Sequence, residues 1–219
     1  MDIPESWTFK SKEVADNFDS HVREQLPWYD LATGAVEHIA RQYLPANGIV
    51  YDIGASTGNI NLTLSDLIKE RGASYVGIES SKEMVDKFKG DGDIVHADAT
   101  VYEYRPFDVC VCFLTLMFIP YSEQANFIRL LRSKIKDGGV LIVVDKCEPV
   151  GGYAATVLYK LSLREKMKHS KSCDILRKEL SLSGIQRPVN ADALKEIGVE
   201  FFRFGDFAGW IIEKEDHVR

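Results

Sequence analysis

Residues 52 to 58 read Asp52-Ile53-Gly54-Ala55-Ser56-Thr57-Gly58. They follow a short apolar run, Ile49 to Ile53, and precede a stretch in which Ile60, Leu64, Leu67 and Ile68 share one helical face. Residues this small between a strand and a helix let a ligand lie against bare backbone, and Gly54 and Gly58 permit the tight entry into the helix. Two acids stand at comparable places further on. Glu79 closes the run Tyr75 to Ile78, and its carboxylate has acceptors for both hydroxyls of a ribose. Asp98 comes just after Asp93 to His96, placed to accept from an exocyclic amine such as that of adenine. A lone G-x-x-x-G is an ordinary turn and an acid at a strand end is most often solvated. Three such features after three successive strands, in order, predict a nucleoside site at the carboxyl ends of the strands.

Other chemistries meet the same residues. Gly54 to Gly58 also satisfies G-x-S-x-G, the nucleophile elbow of serine hydrolases, with Ser56 attacking and His169 or His217 as base. That elbow normally follows several strands, whereas here one strand and a mostly helical segment come before it, with no HGG segment upstream. The turn is not the G-x-G-x-x-G of dinucleotide dehydrogenases. Cys110 and Cys112 are two apart on a strand and so share a face, which reads as core. With Cys147 and Cys173 elsewhere and no adjacent histidine, no metal is expected. A non-catalytic nucleotide-binding protein would carry the same pocket.

The elements that position these residues follow from periodicity. Residues 1–46 read as two helices, the second with Val36, Ile39, Ala40, Tyr43 and Leu44 at helical spacing and Pro45 as its stop. Strands are expected at Ile49 to Ile53, Tyr75 to Ile78, Asp93 to His96, Val109 to Leu116 and Val140 to Val144, the fourth apolar enough to be covered on both faces. Between them, Ser80-Ser81-Lys82-Glu83 has capping-box spacing, Ser122 is placed to cap a helix carrying Ile128, Leu131 and Ile135, and Gly138-Gly139 turns the chain. A helix at Ala191 to Ile197 and a hairpin of Val199 to Phe204 with Phe207 to Ile212 close the sequence. This alternation predicts an α/β fold with a doubly wound, seven-stranded, mostly parallel sheet ending in an antiparallel hairpin. Residues 149–188 break the pattern: between Tyr159 and Leu180 seven Lys or Arg face three Asp or Glu, which reads as a basic helical lid. The expected organisation is one domain, with a helical cap at 1–46, a ligand-binding core at 47–148, the lid at 149–188 and a closing helix and hairpin at 189–219.

Composition narrows the class. At 219 residues with 45% apolar and 27% charged residues, the chain is long enough for one globular core and too ordered in composition for a disordered or fibrous protein. The longest uncharged apolar run, Val109 to Tyr121, falls short of a membrane span. The opening MDIPESWTFK is acidic and polar, unlike a signal peptide, and four cysteines without framework spacing are expected in a reducing cytoplasm. The net charge is −6, and the lid's basic run reads either as a solvated helix face or as a surface for nucleic acid or an anionic substrate.

The series VYDIGASTGN, VGIES, VHADA, VCVCFLTLMF and GGVLIVVDK, across residues 48–146, resembles the class I S-adenosylmethionine-dependent methyltransferase superfamily. Within it, the chain is similar to the carboxy-S-adenosylmethionine synthase family. That likeness rests on Trp7-Thr8-Phe9 with Val14-Ala15 and Phe18, Pro27 with Tyr29, Phe113-Leu114-Thr115-Leu116 with Phe118, and Asp145-Lys146. The resemblance implies a Rossmann-like fold and S-adenosylmethionine or its carboxylated form as cofactor. It implies Tyr29 over that cofactor, Gly54, Ala55 and Ser56 along its methionine and ribose, Glu79 and Ser80 at the ribose, and Asp98 with Ala99 at the adenine. The family's carboxylate-pairing arginine corresponds to Arg177, with Arg187 as competitor, and its asparagine beside the same carboxylate falls at Phe113. The implied reaction moves the carboxyl carbon of prephenate to the sulfonium methyl, in a homodimer, ahead of tRNA wobble-uridine modification. The alternative is ordinary methyl transfer to a small molecule or nucleic acid, with Tyr29, Tyr121 or His169 as base. No Asn/Asp-Pro-Pro-Tyr/Phe segment of amino-nucleobase methyltransferases follows the fourth strand.

Overall fold

The computed structural model describes residues 8–148 and 151–214, so Trp7 and His217 lie outside the described residues. In chain order the elements are α1 (Lys12–Gln25), α2 (Tyr29–Tyr43), β1 (Ile49–Ile53), α3 (Asn59–Arg71), β2 (Ser74–Glu79), α4 (Lys82–Val85), β3 (Asp93–His96) and β4 (Phe107–Phe113). There follow a short 3₁₀ turn at Leu116–Phe118, α5 (Tyr121–Ser133), β5 (Ile135–Lys146), α6 (Tyr153–Lys166), α7 (Ser172–Ser181), α8 (Ala191–Lys195), β6 (Val199–Phe204) and β7 (Phe207–Glu213). Local chemistry sets several of these limits. Ser11 Oγ accepts from Val14 N at the start of α1, and Gly72, at φ 58°, closes α3 by donating to the carbonyls of the last turn.

The seven strands form one sheet in the order β3-β2-β1-β4-β5-β7-β6, parallel except where β7 runs antiparallel to β5 and β6. From β1 the chain builds outward through β2 and β3, then returns to place β4 on the other side of β1. A crevice opens beyond the carboxyl ends of the strands where that order reverses. Helices cover both faces. Val109, Val111, Ile142 and Val50 pack with Val36, Ala40 and Leu64 on one side, while Cys110, Cys112, Ile53 and Trp210 pack with Leu131 and Leu194 on the other. The alternation along β4, whose residues are all buried, is the reason the two cysteines are core side chains. Among the described residues no helix is long and apolar enough to cross a membrane.

Several boundaries differ from the sequence expectation. β4 stops at Phe113 because Leu114 takes φ 57° and Asp145 captures the next two amides, Thr115 N at 2.9 Å and Leu116 N at 2.7 Å, turning the chain out of the sheet. β5 begins at Ile135, which already pairs with Phe107; Gly138 and Gly139 shift the register within the strand instead of preceding it. Helix α5 starts at Tyr121 with Pro120 in the capping position, so Ser122 lies inside it. α4 is a single turn capped by Ser81, and α8 ends two residues early.

Candidate functional site

The turn after β1 is held open by its neighbours. Gly54 N and Ala55 N both donate to Ile78 O, at 2.8 and 3.1 Å, which ties the turn to the end of β2. Gly54 sits at φ 72°, and a Cβ there would lie 2.3 Å from Thr115 Oγ1, which itself donates to Ile53 O at 2.7 Å. Glycine is therefore required both by conformation and by space. Ser56, at φ 51°, directs its amide to Glu79 Oε2 at 2.9 Å, while Ser81 N donates to Oε1 at 2.7 Å. Glu79 is 8% exposed; burial raises its pKa, opposed by the amides of Ser81, Ser56 and Ser80. An ionised carboxylate has about four acceptor positions, so these amides do not exhaust it, and Glu79 lines the cavity described below.

The capping helices reach this turn through polar contacts. Asp19 of α1 accepts from Thr57 Oγ1, Asn59 Nδ2 and Lys89 Nζ. At the start of α2 the Tyr29 ring stands edge-on to Phe113, 77° apart with centroids 5.3 Å away, and the Arg23 guanidinium lies over the Tyr29 ring, 5.1 Å from its centroid. Tyr29 is 4% exposed, and burial drives its hydroxyl pKa upward, so it stays a neutral phenol.

A cavity beyond β1, β2 and β4 brings together Tyr29, Gly54, Ala55, Ser56, Glu79, Ser80 and Phe113 among its lining residues, with Asn59, Met84 and Phe118 also on its walls. The other sequence-selected residues lie elsewhere. Asp52 is buried beneath the turn, where Tyr75 donates to it at 2.6 Å and burial pushes its pKa to about 7. Gly58 is the left-handed residue that opens α3, at φ 93°. Asp98 is exposed and caps its own loop, accepting from Thr100 N and Oγ1 at 2.8 Å each, and Ala99 O accepts from Tyr104. Arg177 pairs with Asp174 at 3.1 Å and Arg187 lies 5.0 Å from the Tyr121 ring; neither lines the cavity. Ser56 Oγ donates to Met84 Sδ at 3.5 Å, where a serine nucleophile needs a base. His169 falls in the turn after α6, so the hydrolase arrangement is not assembled there.

A second cavity adjoins the first, sharing Phe9, Phe18, Leu114 and Phe118 with it. Its titratable groups come from four places: His21 on α1, Lys146 at the end of β5, Lys166 on α6, and Lys178 with Glu179 on α7, with the amides of Gln25 and Gln186 beside them. Lys166 meets Glu179 at 3.0 Å; Lys146 donates to Gln186 Oε1 at 3.1 Å and lies 3.6 Å from Asp206. Lys178 Nζ and His21 Nε2 are 2.8 Å apart. In the sequence Lys166 and Lys178 count as part of the basic run, Lys146 belongs to the Asp145-Lys146 pair, and nothing marks out His21. Periodicity on α7 carries part of the signal, because Ile175, Lys178 and Leu182 lie three and four apart and form the inward face.

Residues 51–143 match a family model described as a methyltransferase domain. Carboxy-S-adenosyl-L-methionine synthase of Staphylococcus epidermidis is 27% identical over 96% of this chain and 98% of its own length. The synthase of Desulfotalea psychrophila is 26% identical over 96% and 93%. A solved structure of a candidate S-adenosyl-L-methionine-dependent methyltransferase from Methanococcus maripaludis is 20% identical with a TM-score of 0.56, covering 97% of this chain and 96% of that one. That last likeness establishes the Rossmann-like methyltransferase fold, and the domain match with the relatives makes the activity class an S-adenosylmethionine-dependent transferase.

Proposed function

We propose that this S-adenosylmethionine-dependent transferase acts as a carboxy-S-adenosylmethionine synthase, with prephenate as carboxyl donor. The observation that carries the reading is that the similarity to synthases runs beyond the core, through the cap and the α6–α7 segment, over 96% of the chain. Those two segments build the second cavity, against the first. One pocket for an adenosyl ligand and an adjoining lysine-lined pocket suit a cationic sulfonium beside an anionic donor.

In this reading the residues have distinct tasks. Glu79 takes the ribose hydroxyls on the acceptor capacity its backbone amides leave, and the bare backbone at Gly54 and Ala55 lets the methionine portion approach. Asp98 and Ala99 belong at the adenine end, in the loop after β3. Tyr29, kept as a neutral phenol, and Phe113 cover the ligand with an aromatic wall. S-Adenosylmethionine supplies a sulfonium that stabilises a carbanion on its methyl carbon; the protein excludes water and aligns the carboxyl donor. Extending the same resemblance, the product would serve tRNA wobble-uridine modification and the protein would work as a cytoplasmic homodimer.

Phe113 favours a second reading, methyl transfer to an acceptor. It stands where the synthase family has an asparagine beside the added carboxylate, and its ring packs on Tyr29 and Trp28. One experiment separates the two. The protein is denatured after purification, and again after incubation with S-adenosylmethionine with and without prephenate, and the released adenosyl compounds are identified by mass. Carboxylated S-adenosylmethionine formed only with prephenate, together with phenylpyruvate, is the expected result; S-adenosylmethionine unchanged by prephenate would refute synthase activity.

A further inference from the structure

We propose that Phe18 and Phe118, with Tyr29 and Phe113, form an aromatic cup that holds the sulfonium of S-adenosylmethionine where the two cavities meet. The inference rests on the cofactor reading given above, in which the first cavity takes the adenosyl ligand, and it holds for carboxyl and methyl transfer alike.

The placement of the rings carries the argument. The first cavity is lined by Phe9, Phe18, Tyr29, Phe113 and Phe118, which come from the segment before α1, from α1, from the start of α2, and from the end of β4 with the turn after it. Phe9 stands edge-on to Phe118, 89° apart with centroids 5.0 Å away, and at 70° to Phe18 with centroids 6.1 Å away. Tyr29 stands at 77° to Phe113. Rings at such angles enclose a corner where parallel rings would make a flat wall. Phe18 and Phe118 pack with Val14, Ala15 and Met84, and Phe118 N donates to Thr115 O at 3.0 Å, which fixes the turn that carries it. Tyr29 already gives its ring to the Arg23 guanidinium. Phe18 and Phe118 also line the second cavity, so they stand on the boundary that a transferred carbon must cross.

The ligand's chemistry calls for such rings. A sulfonium carries a full positive charge but no N–H or O–H, so what holds it is negative charge or the electron-rich face of an aromatic ring. Among the described residues that line this cavity Glu79 is the one carboxylate, and it accepts from Ser56 N and Ser81 N at the end given to the ribose. Burial keeps Tyr29 a neutral phenol, so it brings a ring and no charge. With the ribose on Glu79 and the methionine portion along Gly54 and Ala55, the sulfur is one methylene from the ribose and falls between them. Affinity then follows the charge on sulfur. S-Adenosylhomocysteine has the same skeleton without the methyl and without the charge, whereas a carboxylated S-adenosylmethionine remains a sulfonium.

The test titrates the full-length protein calorimetrically with S-adenosylmethionine and with S-adenosylhomocysteine, and reads the ratio of the two affinities. Wild type should bind S-adenosylmethionine the more tightly. Phe18→Leu and Phe118→Leu keep apolar bulk and remove the ring. Each should lower the ratio by about three- to thirtyfold through weaker S-adenosylmethionine binding, with S-adenosylhomocysteine held within about threefold of wild type. Ile60→Val, at an apolar position of the same cavity, should keep the wild-type ratio. Rings that served packing alone would weaken both ligands together. The proposal is overturned if wild type binds S-adenosylhomocysteine as tightly as S-adenosylmethionine, a result that needs no variant, if neither ring substitution lowers the ratio, or if Ile60→Val lowers it as much. Failure of the cofactor reading looks different: wild type then binds neither ligand, and the cup falls with it. The ratio is measured without turnover, so a protein that shows it yet forms no carboxylated product with prephenate keeps the cup and loses the synthase reaction.

Discussion

Replacing Glu79 tests the cofactor assignment where the geometry is most specific. Its two oxygens accept from backbone amides, Oε2 from Ser56 N at 2.9 Å and Oε1 from Ser81 N at 2.7 Å, and its side chain lines the cavity. A hydrogen bond to a charged group contributes roughly 1.5–3 kcal/mol. If the two ribose hydroxyls donate to this carboxylate, Glu79→Ala removes about 3–6 kcal/mol of binding, or a 10²- to 10⁴-fold loss of affinity at about 1.4 kcal/mol per tenfold. Glu79→Gln keeps one acceptor and turns an NH₂ toward one of the amides. Its expected affinity loss is on the order of 30- to 1000-fold, with a folding cost of roughly 1–3 kcal/mol for the amide left without an acceptor. Isothermal titration with S-adenosylhomocysteine and its 2′-deoxy analogue is the assay. Wild type should discriminate between them, and Glu79→Ala should bind both equally weakly. The sign with pH follows from the raised pKa: protonation removes an acceptor, so affinity should drop as the pH falls through that raised value. A Glu79→Ala protein that is folded by circular dichroism, binds S-adenosylhomocysteine within threefold of wild type and still discriminates against the 2′-deoxy analogue would refute the argument.

Gly54→Ala should lose cofactor binding and more than ~2 kcal/mol of stability in urea melts, because the new Cβ is driven against Thr115 Oγ1 at 2.3 Å from a left-handed backbone. Gln124→Leu should destabilise the protein by roughly 1–3 kcal/mol and raise the KM for the donor. Gln124 Nε2 serves the carbonyls of Leu116, Ile119 and Arg187, joining the turn after β4 to the segment after α7. His21 is 2% exposed and its folded pKa lies below its unfolded one, so the unfolded chain binds the extra proton between about pH 3 and 6.5. Stability should therefore rise with pH across that window, by at most about 1.4 kcal/mol per unit, and urea midpoints of His21→Gln should show a shallower slope.

The order of the strands, the apolar fourth strand and the glycine turn were legible in the sequence, because each rests on short-range rules: alternation, helical spacing, and the few residues that tolerate a positive φ. The acid at the end of β2 was legible for the same reason, since Glu79 needs only its place after a strand to be singled out. What those rules do not reach is a contact between distant segments. Asp145 ends β4 by taking the amides of Thr115 and Leu116 from a strand thirty residues away, so the strand stops three residues short of where its apolar pattern ends. Asp98 follows its strand as expected, yet its carboxylate closes a local turn on Thr100. Composition shows a basic segment after β5; it takes the docking of α7 against α1 to turn Lys178 inward onto His21 and leave Arg177 outside. Residue identity and spacing determine which side chains share a face. Which face meets the cavity is set by packing of the whole chain, because only there do burial and neighbouring charges act on each group.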